Sequence, residues 1–184
     1  MNNLIKTLLE LEKLKYVERG TSVKNRKEST AEHSWSCLMI ADVLIEYIDK
    51  PLNRLKVFEY LLYHDIAEVY AGDAKFNNPQ ELLLKEQKER DALKTIESFY
   101  PNKSRLINIL DQYESRLDLE SQFAKAIDCL DSCIRNINDT NKTSADGFTE
   151  ELIRHKYLPY VSKFTITLNL FETFMSILKE QNKL

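Results

Sequence analysis

Residues 61–73 read LLYHDIAEVYAGD and combine a helical pattern with an unusual run of polar residues. The apolar residues of this stretch continue the three- and four-residue spacing of an amphipathic helix that begins near Asn53. The pattern ends before the sequence Ala71-Gly72-Asp73, and glycine commonly follows the last turn of a helix. The stretch is therefore predicted to be the end of a helix that carries a histidine-aspartate pair.

The same apolar spacing predicts helices along most of the chain. Besides the helix from Asn53, the predicted helices cover about 3–15, about 30–49, about 78–100, about 103–115, about 119–138, about 149–157 and a last segment after Pro159. Residues 17–29 are polar and rich in Lys and Arg, and they are predicted to form a basic loop. The polar segment 138–147 is predicted to be the most linker-like part of the chain.

The composition favours a helical fold. Only 3 glycines and 4 prolines occur among 184 residues, which is about a third of the average usage of these two types. Because the turns of many-stranded sheets require Gly or Asn at positive φ, a β-sandwich or a β-barrel is disfavoured. Hydrophobic residues make up 43% and charged residues 30% of the chain, which is enough for one core. We therefore expect an all-α, compact single-domain helical bundle over residues 1–184, with 150–184 as a C-terminal helical extension that packs on it.

Charge and cysteine content limit the expected partners. The chain has 26 basic and 29 acidic residues and a formal net charge of -3, so it offers no overall attraction to nucleic acid. No apolar run approaches the roughly 20 residues of a membrane span, and the N-terminal segment lacks the uninterrupted apolar region of a signal peptide. Cys37, Cys129 and Cys133 follow no disulfide framework and are typical of reduced thiols. We expect a cytoplasmic protein with no nucleic-acid or membrane partner.

The histidine-aspartate pair of the opening stretch has acidic neighbours. Glu68 follows His64 by one helical turn, about 6 Å along the axis and about 40° around it, so the two residues share a face. Asp65 is adjacent to His64 but lies about 100° around the helix, so both bind one metal only if their side chains lean towards a point between them. Asp73 lies just beyond the predicted helix end. Ligands from other helices are needed to complete a metal site.

His33 and Asp128 are the candidates for those further ligands. His33 lies near the start of the predicted second helix, and Asp128 lies on a largely apolar helix, where an unpaired carboxylate is energetically costly. Taken alone, each residue also has an ordinary interpretation. His33 fits a helix-start position, the histidine-aspartate pair fits a helix surface, and Asp128 fits a hydrogen bond or salt bridge with Lys125 or Arg135. The joint order and spacing of these residues favour a functional site.

The order of these residues resembles the signature of a known family. His33, the adjacent His64 and Asp65, and the distant Asp128 resemble the H…HD…D signature of the HD-domain superfamily of helical metal-dependent phosphohydrolases. The sharper resemblance is to the 5′-deoxynucleotidase branch, and it lies in Arg19, Glu32-His33-Ser34, the HDxxExxxGD string from His64 to Asp73, Lys125, Asp128 and Leu130. The resemblance covers roughly residues 5–140 and implies a bundle of the HD-domain type.

The resemblance implies a metal-dependent phosphomonoesterase that hydrolyses (deoxy)nucleoside 5′-monophosphates to nucleoside and phosphate. The metal ligands that it implies are His33, His64, Asp65 and Asp128. They would hold one divalent metal ion, and their mixed nitrogen and oxygen donors suit Mn²⁺, Co²⁺, Fe²⁺, Ni²⁺ or Zn²⁺ alike. The family likeness assigns acid or base catalysis to Glu68, support of the leaving sugar oxygen to Asp73 and phosphate binding to Arg19. It also implies a small-molecule nucleotide substrate and suggests a homodimer.

Several alternatives stay open at this point. In one, the HD phosphohydrolase acts on another small phosphate ester, and in another the chain binds a metal or nucleotide without turnover. Relatives commonly carry Trp after the arginine that Arg19 matches, where this chain has Gly20, so the choice between deoxyribose and ribose is open. Trp35 is expected in the core rather than in the site. His155 is expected on the surface, which favours one metal ion over two.

Overall fold

The computed structural model describes residues 2–74, 78–140 and 149–184, and within them the chain is predominantly α-helical. The helices are α1 (Asn2–Glu12), α2 (Thr30–Leu44), α3 (Arg54–Tyr63), α4 (Glu68–Ala71), α5 (Pro79–Glu97), α6 (Lys103–Ser115), α7 (Leu119–Asn138), α8 (Glu150–Val161) and α9 (Thr165–Glu180). Short 3₁₀ helices follow α1 and α2. The predicted all-α class is confirmed, and the predicted linker at 138–147 lies largely outside the described residues.

Helix α7 is the centre of the bundle. It packs against α2, α3, α6, α8 and α9, and the core side chains that it contributes are Phe123, Ala124, Ala126, Ile127, Cys129, Leu130 and Cys133. The helical spacing of these apolar residues keeps them on the sides that face the neighbouring helices. Phe123 is fully buried, and burial of a side chain of this kind contributes about 1.5–3 kcal/mol. The central position of α7 also places its polar residues close to α2 and α3.

The two C-terminal helices complete the same core. Phe171, Met175 and Leu178 of α9 are buried against it, and α8 and α9 both pack on α7. Lys183 Nζ donates to the main-chain oxygens of Asn136 at 3.0 Å and Ile137 at 2.6 Å, which joins the last residues to the end of α7. The assignment of residues 1–184 to one domain stays a prediction. None of the helices in the described residues combines the length and apolar character that crossing a membrane requires.

The segment 17–29 differs most from the prediction. It forms an antiparallel hairpin of β1 (Glu18–Val23) and β2 (Arg26–Ser29). The paired residues are Glu18 with Ser29, Ser22 with Lys27 and Val23 with Arg26. The prediction of a loop was wrong because these strands carry charged side chains instead of an alternating apolar pattern. The turn also lacks the usual glycine, and Lys24 adopts a positive φ of 54° in its place.

The stretch 61–73 forms two helices separated by turns, and not one continuous helix. Helix α3 ends at Tyr63, and the next four residues form tighter turns before α4 begins. Ile66 N donates to Tyr63 O and Glu68 N donates to Asp65 O, both at 3.0 Å. These are three-residue hydrogen bonds, which apolar spacing does not distinguish from the four-residue bonds of an α-helix. Gly72, at φ 73°, follows α4, which ends at Ala71, one residue later than predicted.

Two further predictions were wrong. Trp35 was expected in the core, but it is 65% exposed on the outer face of α2. Since α2 is apolar on both faces, its spacing does not indicate which face lies inside. The helix predicted to end before Pro159 continues to Val161, although Pro159 has no N–H to donate to the preceding turn.

Candidate metal centre

His33 lies in the first turn of α2, and the residues before it determine where that helix begins. Ser29 and Glu32 form a capping box, in which each side chain accepts from the main-chain N–H of the other residue. The His33 side chain is fully buried. Its Nδ1 lies 2.7 Å from Oδ2 of Asp131, which is fully buried as well. Because an ionised carboxylate only accepts, Nδ1 donates and Nε2 is directed at the other candidate ligands.

His64 presents its Nε2 in the same way. It follows α3 directly, and its Nδ1 lies 2.8 Å from the main-chain oxygen of Leu61. A carbonyl oxygen only accepts, so Nδ1 donates and Nε2 is the nitrogen that faces the other candidate ligands. The Nε2 atoms of His33 and His64 are 3.2 Å apart. At this separation the two nitrogen atoms are able to share a proton or to bind one cation.

Asp65 and Asp128 complete the group of side chains. Asp65 Oδ2 lies 3.1 Å from His64 Nε2 and 3.5 Å from His33 Nε2. Asp128 Oδ1 lies 3.2 Å from His33 Nε2, and its Oδ2 accepts from Lys125 Nζ at 2.7 Å. The structure therefore brings together the four side chains predicted as ligands, from α2, the turn after α3, and α7. The ordinary pairing of Asp128 with Lys125 is present in addition.

The charges of the group match those of a cation site. Burial acts to raise the pKa of Asp65, but attraction by His64, His33 and Arg19 outweighs it and lowers that pKa. Burial also opposes ionisation of Asp128, yet chiefly Lys125 and His33 hold its pKa well below the ordinary value. For His33, burial and Arg19 act to lower the pKa, but the acidic groups around the ring raise it well above the ordinary value. Two ionised carboxylates thus favour positive charge between them, as a proton or as a metal ion.

Cys37 lies beside the group but is poorly suited to bind a metal. Its Sγ is 3.7 Å from both ring nitrogens of His33. Burial raises the pKa of the Cys37 thiol to about 12, and the thiolate rather than the thiol is the metal ligand. The suitable donors are therefore nitrogen and oxygen atoms, and this set fits a divalent transition-metal ion.

Glu68 and Asp73 have carboxyl groups with raised pKa values. Glu68 is buried, and its Oε2 accepts from Thr30 Oγ1 at 2.7 Å. Burial, followed by the negative charge of Asp65, raises the pKa of Glu68 to about 8. Burial also raises the pKa of Asp73, although Arg19 opposes the shift. Glu68 is therefore able to exchange a proton near neutral pH, where an exposed glutamate is ionised.

Arg19 extends towards the site from strand β1. Its Nη1 donates to Asp65 Oδ2 at 3.2 Å, and its Nε lies 3.7 Å from Oε2 of Glu28 on β2. Glu28 is buried and also accepts from Thr21 Oγ1 at 3.1 Å. Burial acts to lower the pKa of Arg19, but the surrounding carboxylates, Asp65 first, raise it. The hairpin that was predicted as a loop thus places a permanent cation beside the candidate ligands.

Asp131 and Glu28 are candidate functional residues that the sequence analysis missed. Asp131 follows Asp128 by three residues and shares a face of α7 with it. A second carboxylate at this spacing on an apolar helix was a readable signal for a partner of a histidine ligand. Glu28 had no comparable signal, because its strand was predicted as part of a loop.

The group opens onto a cavity of about 1130 Å³. The predicted site residues that line it are Arg19, His64, Asp65, Glu68, Asp73 and Asp128. His33 is fully buried and does not line the cavity. His155 is exposed, as predicted, and it joins neither cluster of metal-ligating side chains found among the described residues.

The fold and the site together define a class of protein. A helical bundle in which two histidines and two aspartates, in the order H…HD…D, converge on one point is typical of HD-type metal-dependent phosphohydrolases. The family model described as HD domain matches residues 11–160, and the chain belongs to this family. The predicted family and enzyme class are confirmed at that level. HD domains are metal-dependent, and His33, Cys37, His64 and Asp128 lie close enough together to hold a metal ion. Asp65 lies within 3.5 Å of both histidines.

Relatives with similar sequences carry one common name. The chain is 31% identical over 134 residues to the 5′-deoxynucleotidase HDDC2 of Homo sapiens. The aligned region covers 68% of this chain and 63% of the human protein. The chain is 26% identical over 140 residues to the Danio rerio protein of the same name, with 73% and 68% of the two chains covered. This chain therefore spans less than two thirds of the length of the human relative.

Solved structures share the fold of this chain. A predicted metal-dependent phosphohydrolase from Magnetospirillum magnetotacticum MS-1 superposes with a TM-score of 0.82 and 28% identity, over 97% of this chain and 91% of that chain. An HD-domain phosphohydrolase from Listeria innocua superposes with a TM-score of 0.65 and 16% identity, over 96% and 89% of the two chains. The second likeness bears on the fold alone.

Proposed function

We propose that this chain hydrolyses (deoxy)nucleoside 5′-monophosphates to nucleoside and phosphate with one divalent metal ion. The observation that carries the proposal is the convergence of two histidine Nε2 atoms, two ionised aspartates and Arg19 at one end of a large cavity. The names of the human and Danio rerio relatives support the choice of substrate. The proposed metal ligands are His33, His64, Asp65 and Asp128.

The proposed metal ion supplies Lewis acidity to the phosphoryl group and to the attacking water. The nitrogen and oxygen donors suit Mn²⁺, Co²⁺, Fe²⁺, Ni²⁺ or Zn²⁺. Each proposed histidine ligand is oriented through its Nδ1, by Asp131 for His33 and by a main-chain oxygen for His64. Such partners hold the imidazole ring in the orientation that metal binding requires.

Arg19 binds the phosphoryl group in this proposal. Its planar guanidinium matches two phosphoryl oxygens at once and neutralises part of their charge. Without a substrate, its Nη1 donates to Asp65 at 3.2 Å, so the positive group already lies beside the proposed metal ligands. The phosphate is thereby oriented with the nucleoside directed into the cavity.

Glu68 and Asp73 move the protons in this proposal. Water forms a bond to phosphorus while the bond from phosphorus to the sugar O5′ breaks, and one proton must pass from the water to O5′. Glu68, with a pKa of about 8, accepts the water proton at its carboxylate, and Asp73, whose pKa is raised by burial, donates a proton to O5′ as its bond to phosphorus breaks. A base whose pKa lies close to the working pH is efficient in such a transfer.

Gly20 favours a broad choice of sugar. It lines the cavity next to Arg19, and a Cβ placed on it would meet no atom within 4 Å. Because this space is open, nothing at position 20 opposes a 2′-hydroxyl. We therefore propose that both deoxyribose and ribose 5′-monophosphates are substrates, and other small phosphate esters remain the second candidate.

Phosphate release from a panel of substrates tests the proposed function. The panel contains deoxyribonucleoside and ribonucleoside 5′-monophosphates and simple sugar phosphates, each with added Mn²⁺ or Co²⁺. We expect release from the nucleotides, and loss of both metal content and activity in Asp65→Ala. Glu68→Gln should retain the metal but lose about 10²–10⁴-fold in turnover. Release from sugar phosphates alone would contradict the nucleotidase, and full activity of Asp65→Ala would contradict the ligand assignment.

We further propose a cytoplasmic homodimer that contacts its partner through the outer face of α2. Trp35, Met39 and Val43 recur there at a four-residue spacing and are exposed. Since the inner face of α2 is also apolar, the exposed stripe is typical of a surface that another chain covers. A second copy presents the same uncharged stripe, which suits a two-fold interface. The unpaired thiols of all three cysteines support the cytoplasmic location.

A further inference from the structure

Helix α7 presents a row of polar side chains to the cavity. Asp128, Ser132 and Asn136 follow one another at a four-residue spacing, and all three line the cavity. Residues four apart share one side of an α-helix and lie about 6 Å apart along its axis. Ser132 therefore lies one turn beyond a proposed metal ligand, and Asn136 lies two turns beyond it.

Strand β1 runs alongside this row and in the same direction. At one end, Arg19 Nη1 donates to Asp65 at 3.2 Å, and at the other end, Ser22 N donates to Oδ2 of Asp139 at 2.8 Å. Asp139 directly follows α7. Three residues of a strand span roughly 10 Å, and the two turns that end at Asn136 span roughly 12 Å. Arg19 and Asn136 thus mark the two ends of one part of the cavity, which we call the α7 cleft.

The side chain of Asn136 is the unusual member of the row. The residue is only 6% exposed, and among the described residues no donor lies within hydrogen-bonding distance of its Oδ1. Ser132, by contrast, is hydrogen-bonded to Tyr157 of α8. A buried amide oxygen without a donor destabilises the folded chain. Its presence in the wall of a cavity therefore points to a ligand that supplies the donor.

The surroundings of Asn136 suit an amino group better than a second acceptor. Asp139 follows Asn136 by three residues and also lines the cavity. It is 4% exposed, and its carboxylate accepts from Ser22 N. A carboxylate repels a carbonyl or phosphoryl oxygen nearby and attracts the positive end of an N–H group. This end of the α7 cleft therefore favours a neutral ligand that presents an amino group.

A nucleoside 5′-monophosphate matches the α7 cleft in length and in polarity. With the phosphate beside Arg19, the sugar would lie level with Ser132 and the base would reach Asn136. An asparagine amide pairs with adenine through two hydrogen bonds, in which Oδ1 accepts from the N6 amino group and Nδ2 donates to N7. Guanine and hypoxanthine present the acceptor O6 in place of the amino group, so Oδ1 would stay without a donor.

We propose that Asn136 is a specificity-determining residue that binds the base of the substrate and selects adenine. The preferred substrates are adenosine and deoxyadenosine 5′-monophosphates. This proposal rests on the proposed function, because it assumes that the phosphate of a nucleotide lies at the metal site. It adds a choice of base, which the metal ligands and Arg19 do not make.

Two nucleotides with different C6 substituents test the choice of base. Deoxyadenosine 5′-monophosphate carries an amino group there, deoxyinosine 5′-monophosphate carries an oxygen, and both contain N7. The measured quantity is the ratio of kcat/KM for the adenine nucleotide to that for the hypoxanthine nucleotide. We expect a ratio of about ten or more in the unmodified chain, the discrimination that one two-bond pair provides, and a ratio near one in Asn136→Leu.

The design separates base recognition from an effect on folding. Leucine has the same branched arrangement of side-chain atoms as asparagine but has no hydrogen-bonding group. Because both nucleotides are measured on the same variant, the ratio does not depend on the amount of folded protein. Asn169→Leu, at an exposed position of α9 outside the cavity, is the matched control and should keep the ratio of the unmodified chain.

The outcomes separate this proposal from the proposed function. A ratio near one in the unmodified chain, with rapid hydrolysis of both nucleotides, would overturn the choice of base and leave the proposed function intact. An unchanged high ratio in Asn136→Leu would assign the selectivity to another residue and also overturn the proposal. If neither nucleotide is hydrolysed, the proposed function fails. Calorimetric binding then decides the role of Asn136, which requires tighter binding of the adenine nucleotide and loss of that difference in Asn136→Leu.

Discussion

One buried carboxylate determines how His33 faces the other candidate ligands. Asp131 accepts from His33 Nδ1 through one oxygen and from Ser36 Oγ through the other, so its own position is held on both sides. Asp131 and Ser36 do not line the cavity. At the scale of single residues, the geometry of the proposed metal site therefore depends on a side chain behind it as well as on its four ligands.

We expect Asp131→Asn to weaken metal binding by roughly 10–100-fold, the usual effect of losing such a partner. Asn keeps the size of the side chain but removes the charge that balances the imidazole. The measurement is competition for Co²⁺ against a coloured chelator at constant pH. Asp111→Asn, on the exposed face of α6, is the control and should bind normally. Unchanged affinity in Asp131→Asn would show that Asp131 does not position His33.

Metal affinity should fall as the pH is lowered. The pKa of His33 is raised well above its ordinary value, so the metal must displace a proton from this residue across the neutral range. Asp65 and Asp128 have lowered pKa values and stay ionised there. Each unit of pH below the raised value should therefore weaken the apparent affinity about tenfold for one displaced proton. Titrations with Mn²⁺ between about pH 6 and pH 8 check this, and a constant affinity would contradict it.

The short hairpin of β1 and β2 connects parts of the site that are distant in the sequence. Thr30 N donates to Val17 O at 3.0 Å, and Ser22 N donates to Asp139 Oδ2 at 2.8 Å. The two ends of β1 are thus joined to the start of α2 and the end of α7. At the scale of elements, Arg19 is held between the helices that carry His33 and Asp128, so the proposed phosphate binding would depend on the stability of this hairpin.

Lys24→Gly should stabilise the protein. Lys24 adopts a φ of 54° in the hairpin turn, a conformation that costs a residue with a side chain about 1–2 kcal/mol. Glycine relieves this strain and loses about 0.5–1 kcal/mol in chain entropy, so the free energy of unfolding should rise by about 0.5 kcal/mol. Urea denaturation measures the change. Lys27→Gly, at an ordinary strand position, is the control and should destabilise, and a loss of stability in Lys24→Gly would refute the argument.

The elements differ in how far their sequences predict them. Helix α7 has one consistent apolar pattern, so its bounds of Leu119 and Asn138 agree with the sequence. The hairpin lacked that signal because pairing of the backbone and burial of Glu28, rather than apolar side chains, hold it together. Trp35 was misplaced because both faces of α2 are apolar. The site residues of the H…HD…D order were predicted, whereas Asp131 and Glu28 depend on packing between distant segments.

The exposed stripe of α2 belongs to the scale of the whole molecule. Trp35 and Val43 are 65% and 59% exposed, while the opposite face of the same helix carries His33 into the core. A partner chain on this stripe would restrict the movement of the helix that supplies a proposed metal ligand. In the proposed dimer, assembly and metal binding would therefore be connected through one helix.

Light scattering should give a molar mass of about twice 21.6 kDa for the unmodified chain, as the proposed homodimer requires. Met39→Glu places a charge in the apolar interface and should yield a mass close to that of one chain. Leu83→Glu is the matched control, since Leu83 is 83% exposed and belongs to α5 rather than to α2. A single-chain mass for the unmodified protein would contradict the dimer.

The turn that follows α3 has a consequence for biosynthesis. His64 takes its orientation from Leu61 O, three residues earlier, and Asp65 is its direct neighbour, so this half of the site needs no distant segment. His33 lies on α2, which is synthesised before α3 and packs against it, whereas Asp128 arrives only with α7. An emerging polypeptide thus offers three of the proposed donors early and gains the fourth late. Capture of the ion would complete the tertiary structure and favour it by mass action, and the cellular supply of metal would then determine how much of the chain matures.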